Sequence, residues 1–146
     1  MPEIEIVRLS ADMLPEVAAL EALCFAEPWS EKSLELLLSE RGIGFAALVD
    51  GQLAAYGGMM TVLDEGQITN IATFPEFRRM GIGRRIVKAL EEYSVANGIV
   101  FLSLEVRESN APAQALYASC GWQSQGIRRN FYRLPTENAV IMTKKL

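Results

Sequence analysis

The chain's pattern predicts an α/β fold with one mixed, mostly antiparallel sheet, in the order β-α-α-β-β-β-α-β-α-β-β. Three observations carry this. Apolar residues switch between the period of two expected of strands and the three-and-four spacing of helices. Asp50-Gly51 separates two apolar runs, a two-residue hairpin signal that makes the flanking strands antiparallel. A strand, a helix and another strand then follow over 67–106, a crossover that lays those two strands parallel. With 146 residues, 50% of them hydrophobic, the chain is expected to form a single domain over 1–146 whose core needs no metal or disulfide staple.

Ile4, Ile6, Val7 and Leu9 begin the first strand. Ser10 and Asp12 are candidate caps for a helix whose apolar positions Leu14, Val17, Ala18, Leu20, Leu23 and Cys24 repeat at helical spacing. Pro28-Trp29-Ser30 interrupts it. Ser30 then reads as the N-cap of a short helix carrying Leu34, Leu37 and Leu38, ended by Gly42 and Gly44. Strands follow at 45–49 and 53–63, the second with Gly57-Gly58 as a kink or bulge. A turn near Asp64-Glu65-Gly66 leads into a third at 67–73. Residues 83–97 read as a helix with Ile86, Val87, Leu90 and Tyr93 on one side, stopped by Gly98. An apolar strand at 101–106 precedes a helix at 111–120, capped by Asn110 and closed by Gly121. Strands at 123–129 and 139–143 complete the chain.

Composition removes whole classes of chemistry. Histidine is absent, which excludes Ser–His–Asp and Cys–His nucleophiles and every His-ligated metal or haem site. Two cysteines, Cys24 and Cys120, are too few for a disulfide framework or a four-cysteine zinc site, and both read as structural. No metal site is expected. The acidic N-terminus lacks the apolar segment of a signal peptide and no apolar run suits a bilayer span, so a cytoplasmic setting without a membrane partner is expected. Net charge is −4, but residues 1–77 carry 13 acidic against 3 basic residues and residues 78–146 carry 5 against 11. The second half suits an anion and the first a cationic partner. An acidic total without basic-aromatic alternation argues against direct nucleic-acid binding. A monomer or weak oligomer is expected.

Arg78-Arg79-Met80-Gly81-Ile82-Gly83-Arg84-Arg85 is the most informative stretch. It opens a helix, where unpaired backbone N–H groups and the helix dipole favour phosphate, and its glycines admit close approach of a ligand. It lacks the Lys-Ser/Thr of a Walker A loop, and Ile86 stands where a dinucleotide fingerprint needs its third glycine.

Arg78-x-x-Gly81-x-Gly83, following a strand and opening a helix, resembles the signature of the GNAT superfamily of N-acetyltransferases, and the element order is also that superfamily's. The blocks Pro28-Trp29-Ser30-Glu31, Asn70-Ile71-Ala72, Leu104-Glu105-Val106-Arg107, Ser109-Asn110-Ala111, Ala115-Leu116-Tyr117 and Ile127-Arg128-Arg129-Asn130-Phe131-Tyr132 are most similar to the branch that acetylates the N-terminal alanine of a small-subunit ribosomal protein. Thr73-Phe74-Pro75 and Met80 depart from its usual pattern. The resemblance implies acetyl-CoA as co-substrate and a protein N-terminus as acceptor. It implies that backbone N–H groups of Arg79, Met80, Gly81, Ile82, Gly83 and Arg84 grip the pyrophosphate. Ile71, Ala72 and Thr73 would bind the pantetheine arm and acetyl carbonyl, and Asn110 would contact CoA.

Removing a proton from the amine and protonating the thiolate need a base and an acid. Glu105, a carboxylate in an otherwise apolar central strand, is the candidate base, against a structural ion pair with Arg107 or a capping contact. Tyr117 is the candidate acid, against core packing. Trp29 is a candidate wall of the substrate groove, against core packing, and Tyr132 a candidate to shape the peptide slot or relay the amine proton, against ordinary hairpin packing. Glu27, Glu31 and Glu35 are expected to attract a basic substrate. A lysine or small-amine acceptor, or a non-catalytic acyl-CoA-binding module, are the alternatives.

Overall fold

The computed structural model describes residues 2–146, so Met1 lies outside the described chain. Seven strands form one sheet: β1 (Ile4–Arg8), β2 (Gly42–Val49), β3 (Gln52–Val62), β4 (Glu65–Thr73), β5 (Phe101–Arg107), β6 (Gln123–Tyr132) and β7 (Glu137–Lys145). Their spatial order is β1-β2-β3-β4-β5-β7-β6. Only β4 and β5 run parallel; the other neighbours are antiparallel. The helices are α1 (Leu14–Cys24), α2 (Glu31–Leu34), α3 (Ile82–Ala96) and α4 (Ala111–Ser119). This is the predicted element order and the predicted mixed sheet.

The helices divide between the two faces because their apolar stripes do. Val17 and Leu20 of α1 and Leu34 of α2 pack with Ala46, Leu53, Tyr56 and Ala72 of the sheet. Ile86, Val87 and Leu90 of α3 and Tyr117 of α4 pack on the opposite face with Ile43, Ala55, Met59, Ile68 and Leu102. Gly57 and Gly58 make this double packing possible. A Cβ on Gly57 would lie 2.3 Å from Ile86 Cγ2, and one on Gly58 would lie 2.5 Å from Leu37 Cδ1.

The sequence places several boundaries differently. Gly42 and Gly44 do not stop a helix; they belong to β2, and α2 continues as a 3-10 turn, Glu35–Leu38. Their small size serves close approach, since a Cβ on Gly42 would sit 2.1 Å from the Leu36 carbonyl oxygen. Ser10 caps no α-helix; a 3-10 turn, Ala11–Met13, intervenes and Ser10 makes no capping bond. Ser30 does cap α2, accepting from Ser33 N–H. The bulge expected at Gly57-Gly58 falls on the facing strand. Gly58 pairs with Asn70 and Met59 with Ile68, so Thr69 is the extra residue of β4. β6 and β7 run longer than expected because each pairs along the other into the 133–136 loop.

Two features of the sheet create the site. The β4–β5 ladder holds only at Glu65–Phe101, Gly66–Leu102 and Gln67–Ser103. Beyond it both strands continue but part, leaving β4 backbone groups unpaired on the side that faced β5. Thr69 bulges where the parting begins.

Candidate active site

The parting of β4 and β5 opens a channel through the sheet. On the α1 side lies a slot of about 440 Å³, walled by Phe25, Ala26, Glu27 and Trp29 of the α1–α2 loop and by Phe131 and Tyr132. On the α3 side lies a groove of about 640 Å³ running from Arg79, Gly81 and Gly83 to Asn110 and Tyr117. A narrower passage of about 170 Å³ shares residues with both and is lined by Ile71, Glu105, Asn110, Tyr117 and Tyr132.

Glu105 stands in this passage. Its strand alternates, with Leu102, Leu104 and Val106 buried and Phe101, Ser103 and Glu105 on the other face. Gln67 Nε2 donates to its Oε1 at 2.6 Å, and Arg128 Nε lies 3.1 Å from Oε2. The ion pair with Arg107 weighed from the sequence does not form. Arg107 instead pairs with Glu137 at 3.1 Å and donates to the Arg133 and Pro135 carbonyls. The Glu105 carboxylate is 13% exposed and its Arg128 partner 60%, so the arginine can leave at little cost.

Tyr117 is buried, with its ring 5.6 Å from that of Trp122. Its hydroxyl has no hydrogen-bond partner among the described residues. It is not an enclosed unpartnered atom either, a condition met among the described residues only by Thr69 Oγ1. The hydroxyl therefore opens to the channel. Burial, then the charges of Tyr132 and Cys120, pushes the Tyr117 phenol up, so it stays protonated at neutral pH and can donate. Tyr132 reaches the same passage, with Arg107 stacked on its ring at 4.6 Å. Burial and the nearby Glu105 charge push its phenol up to about 12.

The arginine-glycine turn is built for an anion. Arg79 and Gly81 have positive φ, 65° and 74°, which turns successive N–H groups toward one side. No amide N–H from residues 79 to 84 bonds to another described backbone group; the first helical bond runs from Arg85 N–H to the Gly81 carbonyl. Of the four arginines, Arg78 is held by the Thr73 carbonyl at 3.3 Å and Arg85 by the Ile4 carbonyl at 3.4 Å. Arg84 donates to Ser119 Oγ at 2.6 Å. Asn110 caps α4, its Oδ1 accepting from Ala113 N–H at 3.2 Å.

Within β4, Ile71 and Thr73 line the groove, whereas the Ala72 side chain is turned into the core. Met80 is partly buried and packs against the apolar core. Cys24 is half-buried at the groove, 3.8 Å from the Thr73 carbonyl. Sequence reading missed Glu21 and Asn70 as members of the site. Glu21 occupies an apolar helix stripe at a spacing no different from a solvated position, and only its burial singles it out.

The sheet opened between its two parallel strands carries the arginine-glycine turn on one side and a slot on the other. Residues 14–122 match the acetyltransferase (GNAT) family, and the chain belongs to that family, as the glycine-turn resemblance implied. Its relatives narrow the class. The [ribosomal protein bS18]-alanine N-acetyltransferase of Salmonella typhimurium is 41% identical over 138 residues, covering 92% of each chain. That of Escherichia coli K12 is 41% identical over 133 residues, covering 88% of each. The crystal structure of the ribosomal-protein-S18-alanine N-acetyltransferase from Escherichia coli matches with a TM-score of 0.91 at 37% identity, over 98% of this chain and 94% of that one.

Proposed function

We propose that this chain is an acetyl-CoA-dependent N-α-acetyltransferase whose acceptor is the N-terminal alanine of a small-subunit ribosomal protein in the cytoplasm. The observation that carries the reading is the parting of β4 from β5, which gives donor and acceptor separate entrances meeting beside Glu105 and Tyr117. The likeness to alanine N-acetyltransferases over most of the chain supports the choice of acceptor.

The residues take distinct parts. Backbone N–H groups of residues 79 to 84 bind the pyrophosphate. Ile71 and Thr73 face the gap that β5 leaves and take the pantetheine arm as an added strand would, with Ala72 between them paired to Tyr56 of β3, and a β4 N–H holds the oxyanion. Asn110 contacts CoA through atoms its capping bond leaves free. Trp29 and Tyr132 wall the acceptor slot. Glu105 takes a proton from the α-ammonium, the freed amine forms the C–N bond, and the C–S bond breaks. Tyr117 delivers its proton to the departing sulfur and regains one from the nitrogen, which sheds its second proton as the amide forms.

Mass spectrometry of two peptides incubated with the protein and acetyl-CoA tests this. One has a free N-terminal alanine; the other is N-blocked with internal lysines. Acetylation confined to the free α-amine is expected. Modification of lysine alone would overturn the acceptor, and tight acetyl-CoA binding without either product would favour a binding module.

A further inference from the structure

Beneath the acceptor slot a carboxylate is buried without a cation. Glu21 of α1 is 0% exposed and forms no ion pair among the described residues. Three neutral donors converge on it: Trp29 N–H at 2.8 Å and Asn70 Nδ2 at 3.2 Å on Oε1, the Tyr56 hydroxyl and Asn70 Nδ2, at 3.0 Å, on Oε2. A carboxylate held this way is a costly choice for packing alone, where an apolar side chain would serve better.

The chemistry of the pair fixes one direction. Asn70 Nδ2 reaches both Glu21 oxygens, so the amide turns its NH₂ to Glu21 and its Oδ1 away. Oδ1 has no donor among the described residues, and it is not an enclosed unpartnered atom. It therefore opens to the cleft that Asn70 lines together with Glu105 and Tyr132. A terminal amine brings only N–H donors in its ammonium form. An amide carbonyl accepts from that form and equally from the neutral amine, so the contact outlasts the proton's departure.

We propose that Asn70 is a substrate-binding residue whose Oδ1 accepts an N–H of the acceptor amine across from Glu105, and that Glu21 is the positioning residue that keeps the amide so turned. The inference rests on the acceptor being a free amine in this slot. Reversed, the same amide would present NH₂ to an ammonium and repel it.

The test compares a peptide beginning with alanine and its des-amino counterpart, in which propionyl replaces the alanyl residue. Each is titrated calorimetrically into the full chain saturated with CoA. Wild type is expected to prefer the amine. Asn70→Ala is expected to bind the alanine peptide about 10-fold more weakly, with the des-amino peptide and the acetyl-CoA Kd unchanged. The near-isosteric Glu21→Gln, checked by thermal melting, should weaken amine binding in the same direction and add nothing in the Asn70→Ala background. Equal weakening of both peptides, or no change in either, would overturn the role of Asn70. Additive losses would overturn that of Glu21. Wild-type turnover separates the failures. If wild type does not acetylate the alanine peptide, the proposed acceptor falls and takes this inference with it. If it does, and Asn70→Ala still prefers the amine as wild type does, this inference alone falls.

Discussion

Glu105 and Tyr117 meet in one passage although 12 positions separate them, because β5 and α4 both end at the channel. Each role has its own signature. Glu105→Gln keeps the shape and removes the proposed base, so kcat should fall by roughly 10²-fold or more while the acetyl-CoA Kd stays unchanged. Tyr117→Phe should lower kcat by roughly 10²-fold with the fold intact, since the ring's contact with Trp122 is retained. Stopped-time assays with calorimetric binding check both, and loss of acetyl-CoA affinity would point to a structural role instead. Thr69 offers a separate residue-scale test, because its Oγ1 is buried without a partner. Thr69→Val should stabilise the fold by about 1 kcal/mol, read as a higher unfolding midpoint in urea. Glu105 was legible as a lone charge on an apolar strand and Tyr117 through its surrounding motif. Glu21 was not, because its partners Trp29, Tyr56 and Asn70 come from three other segments.

At the scale of elements, the sheet's contact with α3 sets the tolerance to change. Gly57→Ala would drive a methyl to 2.3 Å from Ile86 Cγ2, and about 1–3 kcal/mol of lost stability is expected in urea titration. Gly81→Ala meets no neighbour, but its φ of 74° is left-handed, so about 1 kcal/mol of strain is expected. That strain would also distort the amide array, and the acetyl-CoA Kd should rise. The hairpin at Asp50-Gly51, the helix over Ile82–Ala96 and the Asn110 cap were readable because local chemistry dictates them. The start of β2 was not. Gly42 and Gly44 look like helix stops until the packing against Leu36 and Leu9 shows why a side chain is excluded.

For the whole molecule, the charge halves become two sides of one channel. The anion turn belongs to the basic half, and the α1–α2 loop to the acidic half. Glu27 is partly engaged, accepting from Arg133 N–H at 3.1 Å and thereby joining the α1–α2 loop to the chain just after β6. Exposed Glu31 and Glu35 are free to act at a distance, so reversing both should raise the peptide KM in a salt-dependent manner. Global stability should carry the mark of Glu21. Burial raises its folded pKa above the ordinary 4.5, so its contribution is complete below that value and is lost as pH rises through the folded pKa. Glu137, lowered by its bonds to Ser109 and then by Arg107, acts oppositely and loses its contribution as pH falls below 4.5. In urea unfolding from pH 4.5 upward, Glu21→Gln should flatten the decline; an unchanged pH slope would refute the assignment.

The sequence by itself determined the element order, the hairpin, the anion turn and the two residues proposed for proton transfer, since each rests on neighbours within a few positions or on a motif. Only the tertiary structure decided the insertion of β7 between β5 and β6, the bulge at Thr69 and the parting of β4 from β5. It also decided the burial of Glu21. These depend on which distant segments share a boundary, and local periodicity cannot report the partner a strand or a carboxylate will meet across the sheet.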